Sequence, residues 1–60
     1  MIPDGGYWLS TDKMTVYAEV KDDIIINAAP IIRKFINQPA INLWRWLDKL
    51  GNFTYANLDE

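Results

Sequence analysis

The sequence predicts an α+β domain: a small antiparallel sheet in the order β-β-β-α-α-β, with two short helices packed on one face. Three observations lead there. Residues 14–20 alternate apolar and polar side chains, residues 31–36 and 39–50 gather apolar side chains on one side at helical spacing, and residues 53–58 return to alternation. Strands grouped before and after a pair of helices, without βαβ repetition, suit an antiparallel sheet covered on one side.

Residues 1–6 read as a flexible lead-in, because Pro3 and Gly5-Gly6 punctuate the backbone with no apolar periodicity around them. Tyr7-Trp8-Leu9 then reads as a short edge strand ended by Ser10-Thr11-Asp12, a turn or strand-end cap. From Lys13 the alternation is clean: Met14, Val16, Ala18 and Val20 share one face, and Thr15, Tyr17 and Glu19 the other. Lys21-Asp22-Asp23 is the turn of a hairpin to Ile24-Ile25-Ile26. It lacks the glycine that tight hairpin turns favour, so a left-handed Asp or a longer loop is required.

Pro30 suits the first turn of a helix and not a central strand. Ile31, Ile32, Phe35 and Ile36 oppose Arg33, Lys34 and Asn37, which predicts an amphipathic helix of about two turns. Pro39 ends it and opens a second helix over residues 39–50, with Gly51 as its C-cap. Ala40, Leu43, Trp44, Leu47 and Leu50 form its stripe, flanked by Trp46 on one side and Ile41 on the other, with Asn42, Arg45 and Lys49 opposite. That apolar arc is wider than one buried stripe requires. Residues 53–58 form the last strand, and residues 59–60 are expected to fray.

The chain of 60 residues is one domain, residues 1–60, and a chain of that length buries only roughly 60% of the surface its unfolded form exposes. Half of it is apolar, with three Trp, three Tyr and two Phe, which excludes disorder. There is no Cys and no His, so disulfides and the usual transition-metal ligands are excluded, and with them the most common nucleophile and general base. No catalytic, cofactor-binding or metal-ligating residue is expected. Asp22-Asp23 is the one adjacent acidic pair and reads as a turn; Gly5-Gly6 lacks the lysine and helix of a phosphate-binding loop. No apolar run spans a membrane, and the N-terminus has neither the basic start nor the apolar stretch of a secretory signal, so a cytoplasmic location is the expectation.

Three features are left to carry binding. Trp44-Arg45-Trp46 sets Trp44 in the core and Trp46 on the flank, where a Trp beside an Arg has the make-up of an interface anchor. Arg33, Lys34, Arg45 and Lys49 form basic helix faces, read as an ordinary solvated surface or as a patch for phosphates. Tyr7, Trp8 and Tyr17 are candidates for an aromatic strip on the sheet.

The segments Tyr7-Trp8-Leu9-Ser10-Thr11, Lys13-Met14-Thr15-Val16, Ala29-Pro30-Ile31-Ile32-Arg33-Lys34-Phe35-Ile36, Gln38-Pro39 and Asn42-Leu43-Trp44-Arg45-Trp46 resemble small uncharacterised proteins of bacteriophages and related mobile elements. Such families commonly have glycine where Asn37 stands. The resemblance implies a phage or prophage origin, with the host cytoplasm as location, and supplies no site residues. The expectation is a non-enzymatic protein-interaction module, a phage accessory or inhibitor protein, that binds a protein partner or itself as a homo-oligomer. The alternative is a nucleic-acid-binding accessory protein using the basic faces; no cofactor and no membrane partner is expected.

Overall fold

The alternation centred on Tyr17 builds the strand on which the sheet is laid. In the computed structural model, which describes residues 1–59, this is β2, Thr15–Lys21, with Val16, Ala18 and Val20 buried. It pairs antiparallel with β1, Gly5–Ser10, on one side and with β3, Ile24–Ala28, on the other. The last strand, β4, Thr54–Asn57, pairs antiparallel with β1, so the order across the sheet is β3-β2-β1-β4. The α+β architecture read from the sequence is the one observed, with one face of the sheet covered by short helices.

Two expectations for the N-terminal part are corrected. Tyr7-Trp8-Leu9 lies in an interior strand and not at an edge, because β4 returns from the far end of the chain to pair with it. Gly5 and Gly6 belong to β1, opposite Val20 and Glu19, and not to a lead-in. The residues before them are held as well: Ile2 N donates to Asp23 Oδ1 at 2.9 Å, and Asp22 N donates to Asp4 Oδ1 at 3.0 Å. At the other end Asp59, expected to fray, accepts the Gly6 N–H at 3.3 Å, while Glu60 lies outside the described residues.

The β2–β3 hairpin solves its missing glycine with both central residues. Lys21 faces Ile24, leaving Asp22 and Asp23 as the loop at φ 52° and 65°, the left-handed pair of a type I′ turn. Asp tolerates that region better than most L residues, and the turn is braced by the bonds to Ile2 and Asp4. At the first hairpin, Thr11 Oγ1 accepts the amides of Lys13 and Met14, both at 3.1 Å, so the Ser10-Thr11-Asp12 cluster is a turn.

Residues 30–35 depart from the expected α-helix. They form a 3₁₀-helix, Pro30–Phe35, interrupted at Ile32 (φ −117°, ψ 17°), and bury only Ile32 and Phe35. Three residues per turn puts positions i and i+3 on one side, so Ile31, expected to face inward, is 64% exposed. Helix α1, Ala40–Asp48, is shorter than the expected 39–50 at both ends. Pro39 sits in the N-cap position, and the last turn tightens, with Leu50 N bonding to Leu47 O at 2.9 Å. Gly51 follows at φ 98°, a conformation that favours glycine, and a Cβ there would lie 2.9 Å from Asp12 Oδ2.

Between the two helical pieces the chain closes one edge of the sheet. Asn37 N donates to Ile25 O at 2.7 Å, Ile25 N to Gln38 O at 3.0 Å and Ala40 N to Asp23 O at 2.7 Å, with Pro39 bridged to Ile24. This needs a reversal at Asn37, which takes φ 72°. Replacing Asn37 with Ala therefore lowers stability by about 1 kcal/mol, while glycine, free of that penalty, does not. Urea unfolding followed by circular dichroism reads the difference between the two variants.

Candidate functional site

The covered face is an aliphatic layer with an aromatic cluster at one side. Tyr7, Leu9, Val16, Ala18, Val20 and Ile25 meet Ile32, Phe35, Ala40, Leu43, Trp44 and Leu47. Trp44 stands at the centre of the cluster, near-perpendicular to Tyr7 (centroids 5.2 Å, 86°) and Phe53 (6.1 Å, 87°), with Tyr55 at 5.6 Å. Phe53 and Tyr55 stack on each other at 5.5 Å. Edge-to-face pairs of this kind add about 0.5–1.5 kcal/mol beyond area burial. Trp44 Nε1 is buried without a hydrogen-bond partner among the described residues, so the indole is held by ring packing.

Trp46 has a different environment from the one its sequence position suggests. It is half-buried, its ring tilted against Phe35 at 5.5 Å and capped by Lys34 Nζ at 5.0 Å from the centroid. The wide apolar arc of α1 is thus covered from two sides, by Phe53 and Tyr55 around Trp44 and by the 3₁₀-helix around Trp46. What remains open on the helix is Ile41, at the rim. Arg33, Lys34, Arg45 and Lys49 are all exposed on this helical layer.

Among the described residues, nothing forms a covering layer on the opposite face of the sheet. Of the three aromatics assigned to an outer strip, Tyr7 is corrected: it is 1% exposed, on the core side, because alternation in β1 sends Tyr7 and Leu9 inward and Trp8 outward. Its hydroxyl donates to Pro3 O and accepts from Asn57 Nδ2. Trp8 and Tyr17 do form the strip, directly opposite in register with centroids 6.2 Å apart, and Trp8 is 49% exposed. Tyr17 extends over Gly6, where a Cβ would lie 2.9 Å from its hydroxyl, so the glycine makes room for the ring. On the other side of Trp8 stands Ala56 of β4. Tyr17, Trp8 and Ala56 therefore form one row across three strands.

The row ends at an edge that sequence reasoning did not single out. β3 is closed on its outer side at Ile24 and Ile25 by residues 37–40; β4 has β1 on one side and, among the described residues, no strand on the other. Its residues Thr54, Tyr55 and Ala56 are exposed, as is the following Leu58. Sequence pattern identifies a strand here but carries no signal of its rank in the sheet. A shallow groove of about 220 Å³ runs beside it, lined by Ile41, Trp44, Arg45, Asp48 and Phe53. A second open hollow of about 330 Å³ lies at the N-terminus between Met1, Ile2, Asp23, Pro39 and Ile41. Among the described residues no cluster of acidic side chains has the arrangement to hold a metal ion, and no helix is long and apolar enough to cross a membrane.

The chain matches no protein-family model, no curated protein and no solved structure. Its arrangement is consequently read from its own residues.

The two tryptophans of α1 differ in structural weight. Trp44→Ala costs about 3–5 kcal/mol, comparable to the whole stability of a domain this size, and leaves no cooperative thermal transition. Trp46→Ala, at a half-exposed position, leaves a transition in place. Near-ultraviolet circular dichroism on heating distinguishes the two outcomes.

Proposed function

We propose that this chain is a small non-enzymatic protein-interaction module, of the accessory or inhibitor kind. One observation carries the reading: Trp8, a large aromatic in the middle of a sheet, is held half-exposed on the face that no part of the described chain covers. Trp is among the residues that dominate binding hot spots, and an apolar row rimmed by Ser10, Thr15, Glu19, Lys21 and Thr54 has the polar surround of an interface. Trp46, the anchor expected from sequence, is less suited, since Phe35 and Lys34 already occupy its ring faces.

The nucleic-acid alternative draws support from the exposure of Arg33, Lys34, Arg45 and Lys49. Against it stands their placement. Single-strand binding combines stacking rings with cations along the same groove, whereas here the rings are on the outer sheet face and the four cations on the helical layer. With a formal net charge of −2 the chain also lacks an overall attraction for phosphates.

Two measurements check these readings. Trp8→Ser costs about 1 kcal/mol of stability, from the lost contact with Tyr17, but removes the proteins retained from cell lysate by the immobilised chain. An unchanged set of retained proteins refutes the sheet face as the contact surface. A gel shift with single-stranded DNA or RNA at low salt is expected to be absent; a shift that vanishes when the four basic residues are replaced favours the alternative.

A further inference from the structure

We propose that β4 is the self-association edge of this chain: two copies pair antiparallel through β4 across a two-fold axis at Ala56, joining their sheets into one. The inference rests on the interaction-module reading and assigns it a surface and a partner. It starts from the hydrogen-bond phase of the sheet. Leu58 N donates to Gly6 O at 2.8 Å, and in an antiparallel pair alternate residues bond to the same neighbour. Residues 54, 56 and 58 thus direct their backbone groups to β1, and Tyr55 and Asn57 direct theirs to the open side. Asn57 uses its side chain to tie the strand inward, to Tyr7 Oη at 3.1 Å, which leaves its backbone free for an outer partner.

A second copy satisfies this edge when the two-fold axis passes through Ala56. With Ala56 facing Ala56, Tyr55 of each chain lies opposite Asn57 of the other, and the two pairs exchange every outward N–H and C=O that both residues offer. Ala56 then occupies a non-hydrogen-bonded pair, where backbones approach most closely, at about 4.5 Å between Cα atoms, and a small side chain fits. The row Tyr17, Trp8, Ala56 continues through the axis into its own copy, so the apolar outer face doubles in length.

Two further features favour a copy of the same chain. Edge strands that stay single are kept so by brevity, charge, proline or a bulge; Thr54–Asn57 is short but carries no charge, proline or bulge, whereas the β3 edge has both a register shift and a covering segment. The groove beside β4 presents Arg45 and Asp48 together, one charge of each sign, a combination that is compatible with the same patch meeting itself across a two-fold axis.

The test is sedimentation velocity across a concentration series for the full chain, Ala56→Lys, Ala56→Glu and an equal mixture of the two variants. The unmodified chain is expected to dimerise. Each variant alone places like charges opposite each other at the axis and weakens dimerisation by about tenfold or more, while the mixture, with opposite charges there, restores it. Amide exchange of Tyr55 and Asn57 slows with concentration in the unmodified chain and in the mixture only, a readout that loss of folding does not imitate. A dimer indifferent to both variants overturns the β4 assignment and leaves the interaction-module reading standing. A strict monomer at every soluble concentration overturns self-association, and the module reading is then decided separately by the Trp8→Ser capture experiment.

Discussion

A chain of this length can build one layer of helix, and one layer covers one face of a four-stranded sheet. The whole structure follows from that constraint. Burial stabilises by roughly 25 cal/mol per Å² of apolar surface, so the aliphatic face made by Leu9, Val16, Ala18, Val20 and Ile25 takes the helical cover. The other face must be stable in water, and its strands present Ser10, Thr15, Glu19, Lys21 and Thr54 there. The row of Tyr17, Trp8 and Ala56 interrupts that polarity, and Gly6 leaves space for the Tyr17 ring.

Tyr7 joins the parts that this thin arrangement would otherwise leave loose. Its ring packs edge-on against Trp44, fixing α1 to the middle of the sheet, while its hydroxyl links Pro3 near one end of the chain and Asn57 near the other. With no cysteine and hence no disulfide to constrain the ends, this buried hydrogen-bonded phenol does part of that work. The cost lies in chain entropy, because the β1–β4 contact brings together residues 50 apart in sequence.

Periodicity makes the strands, the covered face and the core residues of α1 legible in the sequence, since alternation and helical spacing are local properties. What it could not carry is strand order. Tyr7-Trp8-Leu9 has the look of an edge strand until residues 54–57 pair with it, and no local pattern in either segment announces the other. The same limit hid the β4 edge. For Pro30–Phe35 the apolar positions fit an α-helix as well as the observed 3₁₀ form; the flanking prolines and the left-handed Asn37 leave too few residues for α-helical bonds to propagate. Trp46 was placed correctly on the flank of α1, but its cover comes from Phe35 and Lys34 in another element, which helical spacing cannot see.

The two edges of the sheet show where the chain has committed backbone and where it has not. Residues 37–40, where Pro39 bars a continuing helix, bend at a left-handed Asn and supply Ile25 and Asp23 with partners. That costs conformational strain at Asn37, so an unpaired β3 edge was the more expensive state. At β4 no such segment exists among the described residues, and the strand has no charge or proline to repel a neighbour. A thin core gains from any surface that association removes from water. The proposed self-pairing rests on that contrast between an edge closed at the expense of strain and an edge left neutral.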